Sequence, residues 1–199
     1  MKRLLPEIII VIAIIILITA IEPYFVKHFF NFKENYGSSS LTVLTKNSGE
    51  VYLSGKYYGK TPINIKNISS GVHTLKIVFP NPNNFYAPFE ESIPFERNNI
   101  TVVKWDEGPS YTFSSGSIYY FQKNYQNTAG LNISINTPSE IFINGKLIKT
   151  AKLFYTNLAS GSYKITLESL GFVKKTIEVN LKNGYTLYTN VKLFEIPIK

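Results

Sequence analysis

The sequence predicts an all-β protein of two small tandem domains, preceded by one N-terminal membrane-spanning helix. Three observations lead there. Residues 50–79 and 140–169 carry one pattern twice, 90 positions apart and without a gap: Glu50 falls on Glu140, Gly55 on Gly145, Lys56 on Lys146, Asn67 on Asn157, Gly71 on Gly161 and Leu75 on Ile165. Agreement over a whole stretch marks a repeated structural unit. Within each copy the apolar residues alternate, as in Val51, Leu53, Leu75 and Ile77 or Ile141, Ile143, Ile165 and Leu167; this period of two belongs to half-buried strands, and no helical stripe accompanies it. The third observation is the run 8–21, 14 residues with no polar group other than Thr19.

That run defines the first segment, 1–26. At about 1.5 Å per residue, 14 residues span roughly 21 Å and the 23 residues of 4–26 about 34 Å, against a hydrocarbon core of about 30 Å. Pro6 suits a first helical turn, and Glu7 complements the positive end of the helix dipole. Lys2 and Arg3 ahead of the run place the N-terminus inside and the remainder outside the membrane, although Lys27 and Lys33 lessen the asymmetry. Two other readings fit the same letters. A cleaved secretory signal would need small residues at its processing site, for which Ile18-Thr19-Ala20 is a poor match. The run after Glu7 also resembles the first helix of type IV pilins, but the Gly-Phe step of that family's leader is missing. Residues 27–40, with Phe29, Phe30 and Phe32 followed by a Gly-Ser stretch, read as a juxtamembrane stalk.

The first copy, 41–105, and the second, 131–199, follow. Asn144-Gly145 between two apolar strands is a type I′ hairpin signal, because both residues tolerate positive φ; Ser54-Gly55 holds the same place in the first copy. Gly71 and Gly161, each after a serine, close a second turn. The string Gly55-Lys56-Tyr57-Tyr58-Gly59-Lys60-Thr61-Pro62, with an apolar strand and then Ser70-Gly71, resembles the PEGA domain family. The resemblance implies a small all-β, sandwich-like module of bacterial and archaeal cell-surface proteins, and it brings no catalytic residue. The second copy keeps Asn144-Gly145-Lys146 and Ser160-Gly161 but has Lys149-Thr150-Ala151-Lys152 where the family shows Gly-Lys-Thr-Pro. Domains of about 65 residues are near the lower limit for an independent core, so packing between the copies or on the segment joining them is expected.

Two stretches stand outside the repeat. Residues 80–99 hold four prolines and an asparagine cluster, which mark an exposed loop and an edge strand, with Asn83, Phe85 and Tyr86 as candidate partner contacts. Residues 106–130 read as a linker by their Gly, Ser and Pro. Yet Ile118, Tyr119, Tyr120 and Phe121 are too apolar to be left in water, and a short strand packed on one domain is expected. A Tyr119-Tyr120-Phe121 ridge, with Trp105, Tyr111 and Tyr125, would make an aromatic platform for sugar rings; the plainer alternative is aromatics covering a small core.

Catalytic chemistry is poorly supplied. The chain has no cysteine, two histidines (His28 and His73) and one aspartate, Asp106. Glu90-Glu91 and Asp106-Glu107 are sequence neighbours, which in a strand point to opposite faces and cannot flank one bond. No serine has a histidine-acid escort, and no phosphate-cradling glycine loop opens a helix. No catalytic, metal-binding or cofactor-binding residue is therefore expected, and no cofactor. The net charge of +8 would attract anionic wall polymers or lipid headgroups. The lysines are scattered along strands, as they are where they keep edges soluble, and nucleic acid is not expected as a partner. The combined expectation is a single-pass protein of a prokaryotic cytoplasmic membrane presenting two external β modules. It would act without catalysis as a binding or scaffold element for an envelope protein or wall polymer. A pilin-like filament subunit and a glycan-acting enzyme are the alternatives.

Overall fold

The computed structural model describes residues 38–80 and 85–197. The expected anchor, all but the end of the stalk, and Asn83 lie outside the described residues. Among these residues every element is a strand and no helix is long and apolar enough to cross a membrane. The first copy supplies β1 (Ser39–Thr45), β2 (Glu50–Leu53), β3 (Lys56–Lys60), β4 (Ile63–Ile68), β5 (Gly71–Val78), β6 (Phe89–Phe95) and β7 (Ile100–Asp106). After β8 (Ser115–Lys123) come β9 (Ala129–Ile143), β10 (Lys146–Leu158), β11 (Gly161–Glu168), β12 (Lys175–Leu181) and β13 (Tyr185–Lys192).

The two hairpin signals fold as their residues dictate. Ser54-Gly55 has φ of 49° and 80°, and Asn144-Gly145 has 50° and 81°; each closes a two-residue loop, between Leu53 and Lys56 or between Ile143 and Lys146. Gly71 and Gly161 start β5 and β11 at φ of 133° and 148°, a region closed to side chains.

Strand pairing repeats between the copies. In the first, β1 runs parallel to β7 with Leu41 opposite Thr101, and β2 pairs β5 with Val51 opposite Ile77. In the second, the first half of β9 runs parallel to β13 with Leu131 opposite Leu187, and its second half pairs β11 with Ile141 opposite Leu167. Gly71 faces Phe95 as Gly161 faces Leu181. The result is β-sandwich-like in each copy, but the layers are joined differently. The first copy breaks between β1 and β2 and again at Thr61-Pro62, leaving a separate four-stranded sheet in the order β3-β2-β5-β6. In the second, β9 and β10 run through the equivalent corner, and the ladder skips from Ser139 to Ser134 on β9 and from Ala151 to Leu153 on β10. Strands that turn a corner through such irregularities carry one layer into the next. One nine-stranded sheet, β12-β11-β9-β13-β8-β7-β1-β4 with β10 on β9, therefore spans both copies.

Thr61 explains the break in the first copy. Its N–H donates to Gly49 O at 2.8 Å and its hydroxyl accepts from Gly49 N at 2.9 Å, fastening the start of β2 to the end of β3. Asn47 donates from its backbone to Glu107 Oε1 at 2.7 Å and from its side chain to the same oxygen, closing the corner. Pro62 has no N–H with which to continue the ladder. Ala151 stands at the position of Thr61 in the second copy, offers no hydroxyl, and the strand continues. Thr61→Val leaves the buried Gly49 N–H without its acceptor; a loss of about 1–3 kcal/mol is expected in urea unfolding of the full chain, and no change would show that the clamp is immaterial.

The expected short strand of the linker is β8, nine residues long, and it packs on both copies: it pairs antiparallel with β7 on one side and with β13 on the other. The copies are thereby related by a half-turn about β8. Thr101 lies opposite Tyr120, whereas its counterpart Leu187 lies opposite Phe121. A one-residue step along a strand moves to the other face of the sheet, so the two cores lie on opposite faces. Val43, Val103 and Trp105 pack with Leu75, Ile77, Phe89 and Ile93 on one side, with Ile118 against them. Leu131, Ile133, Leu187, Val191, Tyr119 and Phe121 are buried on the other. Gly116 admits the first core's largest ring: a Cβ there would meet Trp105 Cε3 at 2.2 Å.

Candidate interaction surfaces

The residues weighed for chemistry have structural work. Glu90 pairs with Lys76 at 3.2 Å, and Glu91 accepts from Tyr111 Oη at 3.1 Å. Asp106 on β7 meets Lys175 on β12 at 3.7 Å, one of the ties between the copies, and burial lowers the Lys175 pKa while Asp106 opposes that shift. His73 bridges two turns, with Nδ1 at 3.0 Å from Ser54 Oγ and Nε2 at 3.0 Å from Ser69 O. Among the described residues, no three His, Cys, Asp or Glu side chains are grouped to hold a metal ion.

The aromatic ridge expected at 119–121 does not form. Consecutive residues of a strand point to opposite faces. Tyr119 and Phe121 are buried in the second core, and burial pushes the Tyr119 phenol up to about 12. Tyr120 alone faces outward, stacked on Tyr188 with ring centroids 5.2 Å apart and planes 3° from parallel. Trp105 is buried too, its ring 4.6 Å from Phe89 and 5.7 Å from Tyr111. Tyr125 is exposed and away from these rings. The platform with Trp105, Tyr111 and Tyr125 is thus replaced by ordinary core packing, the plainer of the two readings. In the insertion, Phe85 is exposed, but Tyr86 is half-buried and lies edge-on to Phe79 at 6.3 Å.

The motif residues fall at corners and turns. Lys56 extends over the Tyr58 ring at 5.2 Å, Gly59 takes φ of 138°, and Thr61 holds the clamp described above.

Among the described residues, two open surfaces bear on binding. The first is a shallow groove of about 350 Å³ on the outer face of the four-stranded sheet, lined by Tyr52, Gly55, Thr74, Lys76, Val78 and Glu90. Its two charged residues, Lys76 and Glu90, pair with each other, and the Tyr52 hydroxyl donates to Glu50 at 3.2 Å. The second is the face of the nine-stranded sheet that β11 and β12 leave uncovered. There Tyr155, Asn132, Tyr188 and Tyr120 form a row across four paired strands. Tyr155 is 54% exposed and Leu153, beside it, 69%. Sequence reasoning missed this face. The available signal was the outward alternation Tyr155-x-Asn157, Tyr188-x-Asn190 and Asn132-x-Ser134, but only the strand order sets these side by side.

These features define a class, a β-sandwich-like module with open sheet faces. Residues 38–106 match the family described as PEGA domain. No curated protein matches the chain. Among solved structures, the Bacillus anthracis TIE protein is similar over 80% of this chain and 34% of that one, at 15% identity and a TM-score of 0.29. The chain thus spans about a third of that structure's length.

Proposed function

We propose that the chain is a membrane-anchored, non-catalytic binding or scaffold protein of a prokaryotic cell envelope, presenting two PEGA-type modules outside the cytoplasmic membrane to a protein or wall-polymer partner. The observation that carries the reading is the repetition of strand pairing: residues 129–192 reproduce the ladder of the matched segment, from the parallel pair at Leu131 and Leu187 to the glycine-led pair at Gly161 and Leu181. The second module is a PEGA domain that has lost its Thr-Pro corner and continues its strands instead. The apolar run 8–21, behind Lys2 and Arg3, supplies the anchor. The acids and His73, engaged in turns, clamps and ion pairs, fit a framework better than a reaction centre.

Protease added to spheroplasts, followed by mass measurement of the protected fragment and of the intact N-terminus, tests the topology. Digestion of both modules with the uncut N-terminus protected is expected. Protection of the modules until the membrane is permeabilised, or an N-terminus trimmed within or just after the apolar run, overturns the anchored arrangement.

A further inference from the structure

We propose that the uncovered sheet face of the second module binds a neutral carbohydrate chain. This deepens the reading above, since it rests on the chain acting by binding, and it names the partner's chemistry. The paired stretches 118–122, 130–134, 153–157 and 186–190 contain no charged residue, in a chain with 21 basic and 13 acidic side chains. What they present instead is Tyr120, Tyr155 and Tyr188 interleaved with Gln122, Asn132 and Asn190. Tyr155 and Tyr188 stand two strand steps apart, about 10 Å. Gln122 donates to Glu96 Oε1 at 2.8 Å, so the turn after β6 walls the face on the side of the first module.

The residue types define the ligand. A tyrosine ring offers an apolar surface to the C–H face of a pyranose while keeping a hydroxyl for water or ligand. A carboxamide presents a donor and an acceptor side by side, matching adjacent sugar hydroxyls that each donate and accept. An anionic polymer finds no cation in these stretches and would lose hydration without a partner there, whereas a neutral polyol exchanges its hydrogen bonds with water for equivalent ones. The second module has lysines of its own, among them Lys146, Lys149, Lys152, Lys182 and Lys192, but all of them fall outside these four stretches.

The test is co-sedimentation of the full chain, in a polyoxyethylene detergent free of sugar headgroups, with insoluble cellulose, chitin and β-1,3-glucan, and with carboxymethyl cellulose as an anionic polymer on the same backbone. Binding to at least one neutral polymer is expected to persist in about 1 M salt, where charges are screened beyond about 3 Å. Tyr155→Ala is expected to weaken it about tenfold. Asn190→Lys, which places a charge on the face at an exposed position, should act in the same direction if the first variant folds poorly by circular dichroism. Four results overturn the proposal: no sedimentation with any neutral polymer, binding confined to carboxymethyl cellulose and lost in salt, binding indifferent to both variants, or a Tyr155-dependent protein partner without polysaccharide binding. Because the assay does not depend on which side of a membrane the modules occupy, its failure is distinct from failure of the topology test.

Discussion

Tyr119→Ala is expected to destabilise the full chain by about 3–5 kcal/mol, the range for removing a large aromatic side chain from a core. Tyr119 lies on β8 between Val102 of β7 and Thr189 of β13, facing the second core. Its neighbour Ile118 packs against the first core from the other side of the same strand. One strand thus serves both modules, and the cavity left by the ring loosens the strand that holds them together. Urea unfolding followed by tyrosine fluorescence and by circular dichroism should show the two probes shifting together to lower denaturant. A loss below about 1 kcal/mol, or a variant in which only one module melts early, would mean that β8 is not a shared strand in solution.

The same side chain should make the protein sensitive to alkali. Its folded pKa is raised to about 12 from the ordinary tyrosine value of 10.0, chiefly because burial penalises the phenolate. A group whose folded pKa lies above its unfolded one contributes stability that is fully present below the unfolded value and is lost as pH climbs towards the folded value. Tyr119 should therefore leave stability unaffected below about pH 10 and remove about 3 kcal/mol between roughly pH 10 and 12, at about 1.4 kcal/mol per unit. Tyr111 and Tyr120 are shifted in the same direction, mainly by burial, so the profile of the unaltered chain contains their contributions too. Subtracting the profile of Tyr119→Phe isolates one ring. A difference that is flat from pH 9 to 12, or one of opposite slope, would contradict the buried position.

Much of the local structure was legible because it is decided within a few residues. Positive φ at Asn144-Gly145 and Ser54-Gly55 needs only those side chains and the alternating strands beside them. The 90-residue shift anticipated equivalent pairings such as Val51 with Ile77 and Ile141 with Leu167. The linker strand was legible as a strand, since a run of Ile118, Tyr119, Tyr120 and Phe121 must be buried somewhere. Its partners were not, because pairing on both edges depends on where β7 and β13 end in space. Reading 119–121 as one ridge ignored the alternation that applies to any strand, and the alternation sends Tyr119 and Phe121 inward. Tyr155, Tyr188 and Asn132 escaped notice for a different reason: the Asn144-Gly145 turn announces that β9 and β10 are neighbours, but the ladder skips between them before Asn132 meets Tyr155, and no local pattern announces that β13, 56 residues beyond Asn132, lies on the other edge of β9.

By itself the sequence determined an all-β chain in which one pattern of residues recurs 90 positions on, the places of its hairpins, and the absence of cysteine chemistry, because turn geometry and strand alternation are short-range properties of the residues concerned. Tertiary structure alone decided that the copies share one sheet, that their cores face opposite ways, and which outward residues stand side by side. The reason is geometric. A single residue of offset between Thr101–Tyr120 and Leu187–Phe121 reverses the buried face, and that offset arises from three segments meeting, none of which encodes it alone.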